Sequence, residues 1–293
     1  MDKHTGGRVS RRGFVSGLAG TAMAAPLLAA ESQPKAALKG RIKQSVCQWC
    51  FNPMPLDELA RNVAAMGLRS IELVPPDQWP TLKKHGLICA LTSSHSFVDG
   101  WSHKENYAMC EEKVRTAIDA TSAAGFPCVI TFSGFRKGMA DDVGLANTVE
   151  GLKRVVGYAE QKKVTLILEV LNSRVNVEMK GHPDYMCDSV EWAVEACRQI
   201  ASPRMKFLFD IYHVQIMQGD LITRIRKHHE FIGHYHTAGV PGRNEIDETQ
   251  EVNYPAVMKT IVETGYQAYV GQEFIPTRDP MTSLRQAVAL CDV

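Results

Sequence analysis

Four residues in the second half of the chain have the types and spacing to hold a divalent ion: Glu169, Asp210, His236 and Glu273. Each falls late in an otherwise apolar run: TLILEVLN, KFLFDIYHV, IGHYHTAG and AYVGQEFIP. A buried charge is costly unless it is paired or metal-bound. Pairing with arginine or lysine would explain one such run but explains four poorly, because few cations accompany them. Three carboxylates and one imidazole make an oxygen-rich donor set suited to Mn²⁺ or Mg²⁺, with Zn²⁺ or Co²⁺ also acceptable.

The elements around these residues must bring them together. From Lys43 onward, short β-branched or apolar runs alternate with amphipathic helical segments, several of which stop at glycine (Gly67, Gly125, Gly265). Eight candidate strands can be read: the four above and KQSVCQW, SIELV, ICALTSS and CVITFSG. Such alternation implies a parallel sheet with helical crossovers. Eight units within residues 43–293 match the ~250 residues of a (β/α)8 TIM barrel. No G-x-G-x-x-G follows the first strand, which argues against a doubly wound open sheet. In such a barrel, sites lie at the C-terminal ends of the strands, where the four residues fall.

Neighbouring residues carry weaker expectations. His234 shares the face of His236 and lies one layer deeper, so it is expected to support rather than ligate. His213, read as part of the sixth strand, is expected to hydrogen-bond a substrate oxygen. Arg243 is either a bidentate clamp for a substrate carboxylate or a surface loop arginine. Glu72 either faces the site or forms an ion pair. His95, Arg136 and His182 stand at loop starts on the functional side. Trp49 and Phe274 are expected as apolar pocket walls, and His228 and His229 as a solvated helix end. Cys47 and Cys50 form a C-x-x-C on what reads as a strand, which would turn the thiols to opposite sides. They are expected as buried small hydrophobes rather than a redox or zinc pair.

The chain has 293 residues, 45% hydrophobic and 22% charged, an ordinary globular composition. Residues 1–35 read differently. SRRGFVSGLAGTAMAAPLLAA pairs Arg11 with Arg12 ahead of a mild apolar stretch, as in a twin-arginine signal peptide. The expected organisation is therefore a signal and linker over 1–35 and one barrel domain over 36–293, exported to the periplasm. Removing residues 1–30 takes four basic residues (Lys3, Arg8, Arg11, Arg12) and one acidic residue (Asp2) from the 33 and 32 of the whole chain. The remaining 29 and 31 give a net of −2. A near-neutral domain offers no electrostatic case for nucleic acid, and no apolar run of the mature chain is long enough for a membrane span. A homo-oligomer remains open.

The chain resembles the hydroxypyruvate isomerase family within the xylose-isomerase-like barrels, over about residues 42–290. The resemblance rests on FDIYHVQIMQGD, GHYHTAGVPGRNEID, VNYPAV and GQEFIP; PGRNE (Pro241 to Glu245) followed by NYP (Asn253 to Pro255) leans toward this family over ketose 3-epimerases. It implies a divalent metal on Glu169, Asp210, His236 and Glu273, with Glu169 and Glu273 as the two catalytic acids. It also implies conversion of hydroxypyruvate to tartronate semialdehyde through an enediolate, with protons moved by those glutamates. The sequence departs in two places. Some members carry an amide where His236 stands, whereas sugar epimerases carry histidine there, and the family's known role is cytoplasmic. The substrate is expected to be a small hydroxy-carbonyl or a sugar. The rivals are a ketose 3-epimerase or other sugar isomerase and an exported, non-catalytic sugar- or metal-binding protein. An AP-endonuclease-like reading is disfavoured by the net charge and by too few histidines for a zinc cluster.

Overall fold

The computed structural model describes residues 38–293, so the export segment expected at 1–35 lies outside the described residues. Eight strands are present: β1 (Lys43–Cys47), β2 (Ser70–Glu72), β3 (Leu91–Thr92), β4 (Cys128–Thr131), β5 (Thr165–Glu169), β6 (Met205–Asp210), β7 (Ile232–Thr237) and β8 (Tyr269–Gln272). All neighbours pair in parallel, in the order β2-β1-β8-β7-β6-β5-β4-β3. The remaining seam, β2 to β3, is closed by backbone bonds from Ile71 N–H to Ile88 O (3.1 Å) and Leu73 N–H to Leu91 O (2.9 Å). The expected (β/α)8 barrel is the observed fold.

The helices are α1 (Leu56–Met66), α2 (Trp79–Lys84), α3 (Tyr107–Ala124), α4 (Asp141–Lys162), α5 (Val190–Ile200), α6 (Ile211–Met217), α7 (Leu221–His228), α8 (Tyr254–Glu263) and α9 (Pro280–Cys291). None among the described residues is long and apolar enough to cross a membrane. Local chemistry sets their ends. Ser189, Asn253 and Asp279 accept N–H bonds as N-caps of α5, α8 and α9, and Gly67 and Gly125 close α1 and α3 in the left-handed conformation.

Both faces of the sheet are covered, which is why its strands read as nearly continuous apolar runs. Outward residues such as Val129, Leu168, Phe207, Phe209, Tyr235 and Val270 pack against the helices. Inward residues Leu91, Cys128, Ile130, Ile167 and Leu208 form a separate small core inside the barrel. Side chains alternate along a strand, so Glu169 follows Ile167 inward, Asp210 follows Leu208, and His236 follows His234.

Two strand readings require correction. KFLFDIYHV is not one strand: β6 ends at Asp210, whose carboxylate accepts the His213 N–H (3.1 Å) and starts α6. Aspartate is a strong N-cap, and here it turns the chain at the barrel rim. KQSVCQW ends at Cys47, and Gln48–Phe51 form a 3₁₀ turn. Cys50 therefore is not a strand neighbour of Cys47. All eight cysteines are free and buried.

Candidate active site

Glu169 is the last residue of β5 and Asp210 the last of β6; His236 lies one residue before the end of β7, and Glu273 follows β8 directly. Glu273 N–H still bonds to Thr237 O (2.9 Å), which extends the ladder and fixes the direction of its side chain. One donor atom from each of the four residues lies within 4.8 Å of the others, and all four residues are buried. His236 Nδ1 is 3.1 Å from Glu273 Oε2 and 3.7 Å from Glu169 Oε1. It is nevertheless a buried nitrogen without a hydrogen-bond partner. An unpartnered imidazole nitrogen aimed among three carboxylates fits a divalent cation, because a cation satisfies all four groups together.

The carboxylates respond to one another. Burial, with the Glu273 carboxylate next in effect, pushes Asp210 up to about 7. Burial also raises Glu169. Glu273 goes the other way: burial works against its charge, but His236 and Arg243 outweigh burial and hold it well below the ordinary value. His236 stays well above the ordinary imidazole value; burial opposes its charge and the Glu273 carboxylate overcomes this.

Arg243 is not a surface residue. Its backbone is in the left-handed region (φ 58°), held by its N–H to Gly239 O (2.9 Å), and its side chain is buried. The guanidinium bonds to Glu273 through Nη2 and to Met179 O through Nη1 (2.8 Å), and lies 3.7 Å from Asp210. Trp49 and Tyr212 flank it at 5.1 and 5.6 Å. One of the three acids therefore has the arginine partner that the sequence did not suggest; the other two do not have one to themselves. His213, on the first turn of α6, accepts the Asn172 backbone N–H on Nδ1 (3.0 Å). Its proton therefore sits on Nε2, which is buried, unpartnered and 3.7 Å from Asp210. Burial, aided by Arg243, holds this imidazole neutral.

A pocket of about 200 Å³ opens over the cluster, lined by Glu169, Glu273, Arg243 and His182 together with apolar side chains including Leu73, Ile130 and Phe132. Trp49 lines it and also donates its indole N–H to Glu273 (3.1 Å). Phe274 does not line it; it points to the other side of β8 and packs against Phe51 (6.0 Å). His182 meets Phe97 edge to face (4.5 Å), and burial pushes it down to about 4, so it is neutral at neutral pH. His95 is tied to Thr131 (2.8 Å) and Arg136 to Asp141 and Asp188 (2.9 and 3.0 Å), so neither lines the pocket. His228 is buried rather than solvated, whereas His229 is exposed.

Glu72, left open by the sequence, lies fully buried inside the barrel, 3.0 Å from both His234 Nε2 and His236 Nε2. Cys47 Sγ is 3.6 Å from His236 and 3.8 Å from Glu72, so this thiol does more than fill space. Gly271 leaves room for the group. A Cβ there would lie 2.8 Å from His236 Cδ2 and 3.0 to 3.1 Å from the Glu72 oxygens. Gly271→Ala is expected to destabilise the protein by about 1–3 kcal/mol through overpacking, read by thermal unfolding. An unchanged melting temperature would show that the interior yields.

A (β/α)8 barrel carrying a buried cluster of three carboxylates and one imidazole at its C-terminal mouth is the class defined by this fold and site. The chain belongs to the xylose isomerase-like TIM barrel family, whose model matches residues 60–292. It is 27% identical over 241 residues to a human protein named putative hydroxypyruvate isomerase, covering 80% of each chain. It is 25% identical over 239 residues to the 2-oxo-tetronate isomerase of Pectobacterium atrosepticum, covering 77% of this chain and 88% of that one. Among solved structures it resembles a family 2 AP endonuclease from Brucella melitensis, with a TM-score of 0.74 and 26% identity over 83% of this chain and 97% of that chain.

Proposed function

We propose that the chain is a cation-dependent isomerase of a small hydroxy-carbonyl compound, interconverting a hydroxy-ketone and a hydroxy-aldehyde of the hydroxypyruvate and tartronate semialdehyde type. The observation that carries this reading is the pair Glu169 and Glu273. Both line one pocket, and their surroundings drive their protonation in opposite directions. Two acids pushed apart in this way divide into an acid and a base. The names of the two isomerase relatives support the same reaction type, and a pocket of about 200 Å³, below the ~300–1,000 Å³ of drug-sized sites, suits a short substrate.

Glu169, Asp210, His236 and Glu273 would hold the cation, with Mn²⁺ or Mg²⁺ favoured and Zn²⁺ or Co²⁺ acceptable. When bound, it supplies Lewis-acid polarisation of the substrate carbonyl. The protein's own groups move the protons. Glu273, the ionised carboxylate, takes the proton from the hydroxyl-bearing carbon, and Glu169 returns one to the neighbouring carbon. The hydroxyl proton passes between the two oxygens. His213 Nε2–H donates to a substrate oxygen, and Arg243 orients Glu273 while offering its remaining N–H groups to a substrate carboxylate. The reading is tested by incubating a panel of hydroxy-carbonyls and ketoses in deuterated solvent. Deuterium should enter a short hydroxy-carbonyl with isomerisation. Incorporation only into ketoses, with inversion at one carbon, would replace this reading with an epimerase, and stoichiometric binding without exchange would replace it with a binding protein.

Cation uptake is expected to release protons. Asp210 sits at about 7, chiefly through burial, and His236 is also raised. A ligating oxygen or nitrogen must be bare, so affinity should rise with pH through about 7 and fall below it. Calorimetric titration in buffers of different ionisation enthalpy counts the protons. Affinity flat across that range would contradict the assignment.

A further inference from the structure

On the N-terminal side of the four-residue cluster, inside the barrel, a second polar group converges on Glu72. Its carboxylate meets His234 Nε2 at 3.0 Å through each oxygen, His236 Nε2 at 3.0 Å, and the Ser45 hydroxyl. No lysine or arginine among the described residues pairs with it. Glu72 is not among the residues that line the pocket.

We propose that Glu72 is a positioning residue for the cation centre: by holding the Nε2–H of His236, it presents Nδ1 to the space between Glu169, Asp210 and Glu273. This rests on the cation reading given above. An ionised carboxylate only accepts hydrogen bonds, so both imidazoles must turn an N–H toward it. The nitrogen left to ligate on His236 is then Nδ1, the atom that has no hydrogen-bond partner. A ring N–H bonded to a carboxylate fixes the tautomer and orientation of a metal-bound histidine and raises its basicity. His234 and Ser45 in turn hold Glu72, and Gly271 leaves the space that the pair occupies.

A second ion between Glu72, His234 and His236 is the competing use of the same atoms, and the ion count below separates the two.

The test uses Mg²⁺-loaded protein with ¹⁵N-labelled histidine, and Mn²⁺ titration of the Glu72→Gln variant. In the wild type, His236 should carry its proton on Nε2 and none on Nδ1. A bare Nε2 would overturn the proposal. Glu72→Gln replaces one accepting oxygen with a donor, so Mn²⁺ affinity should fall by about 10- to 100-fold. Unchanged affinity would also overturn it, as would two ions per wild-type chain with one lost in the variant. The wild-type spectrum keeps the test open if the variant does not fold. None of these readouts uses turnover. Lost affinity in the variant with no isomerisation by the wild type would therefore sink the proposed function and leave the role of Glu72 standing.

Discussion

Glu273→Gln is expected to abolish most solvent-proton exchange at the substrate carbon even at cation concentrations that saturate the variant. General acid–base groups contribute about 10²–10⁴ in rate, so kcat should fall by that factor, roughly 3–5 kcal/mol of barrier. The substitution keeps an oxygen that can accept the Trp49 indole N–H, now 3.1 Å away. The guanidinium of Arg243 keeps Asp210 at 3.7 Å, so it is not left without a counter-charge. Glu169, Asp210 and His236 remain to hold the cation. The measurement is deuterium incorporation beside cation affinity in one preparation. Wild-type incorporation by the variant would remove Glu273 from the proton path; loss of both exchange and cation would make it a ligand only.

Asp210→Asn separates cation binding from folding. Asparagine caps helices about as well as aspartate, so α6 should still start at residue 210 with the His213 N–H satisfied. The lost charge should weaken cation affinity by at least ~100-fold, the upper end of what removing a ligand's supporting partner costs. Wild-type protein held at 100 times its dissociation constant gains about 2.7 kcal/mol of stability from the ion. The variant should lose that cation-dependent rise in melting temperature. Without cation it should be no less stable than the wild type, because it removes a buried carboxylate that burial and Glu273 push up to about 7. An equal rise with Mn²⁺ in both proteins would exclude Asp210 as a ligand.

The barrel and the level of the site were legible because both are written in local pattern. Period-two alternation turns His234 and His236 to one side, and polar residues late in apolar runs mark the ends of β5 to β8. The turn at Asp210 was less legible, since IYHV suits a strand by composition. The N-cap bond from Asp210 to His213 N–H makes it a helix, and this shifts His213 from strand to first helical turn. Arg243 was ambiguous for another reason. A loop arginine is usually solvated, and only the left-handed backbone at 243 and the closeness of Trp49, Tyr212 and Met179 O bring it inside. Phe274 was misread as a pocket wall because Glu273 sets the inward parity at that point, which sends Phe274 out to Phe51.

By itself the sequence determined that eight strand–helix units would close a barrel and that Glu169, Asp210, His236 and Glu273 would stand at its C-terminal rim. Those are consequences of periodicity and spacing along the chain. The tertiary structure decided how the charges are shared. Barrel closure brings Glu72 from the second strand to 3.0 Å from both histidines of the seventh, 162 and 164 residues away. It also brings Arg243 to Glu273 and leaves His236 Nδ1 without a partner. Partnerships across such separations depend on distances in the folded interior, where weak screening makes each buried charge answer to its nearest neighbours, and local sequence pattern carries no record of them.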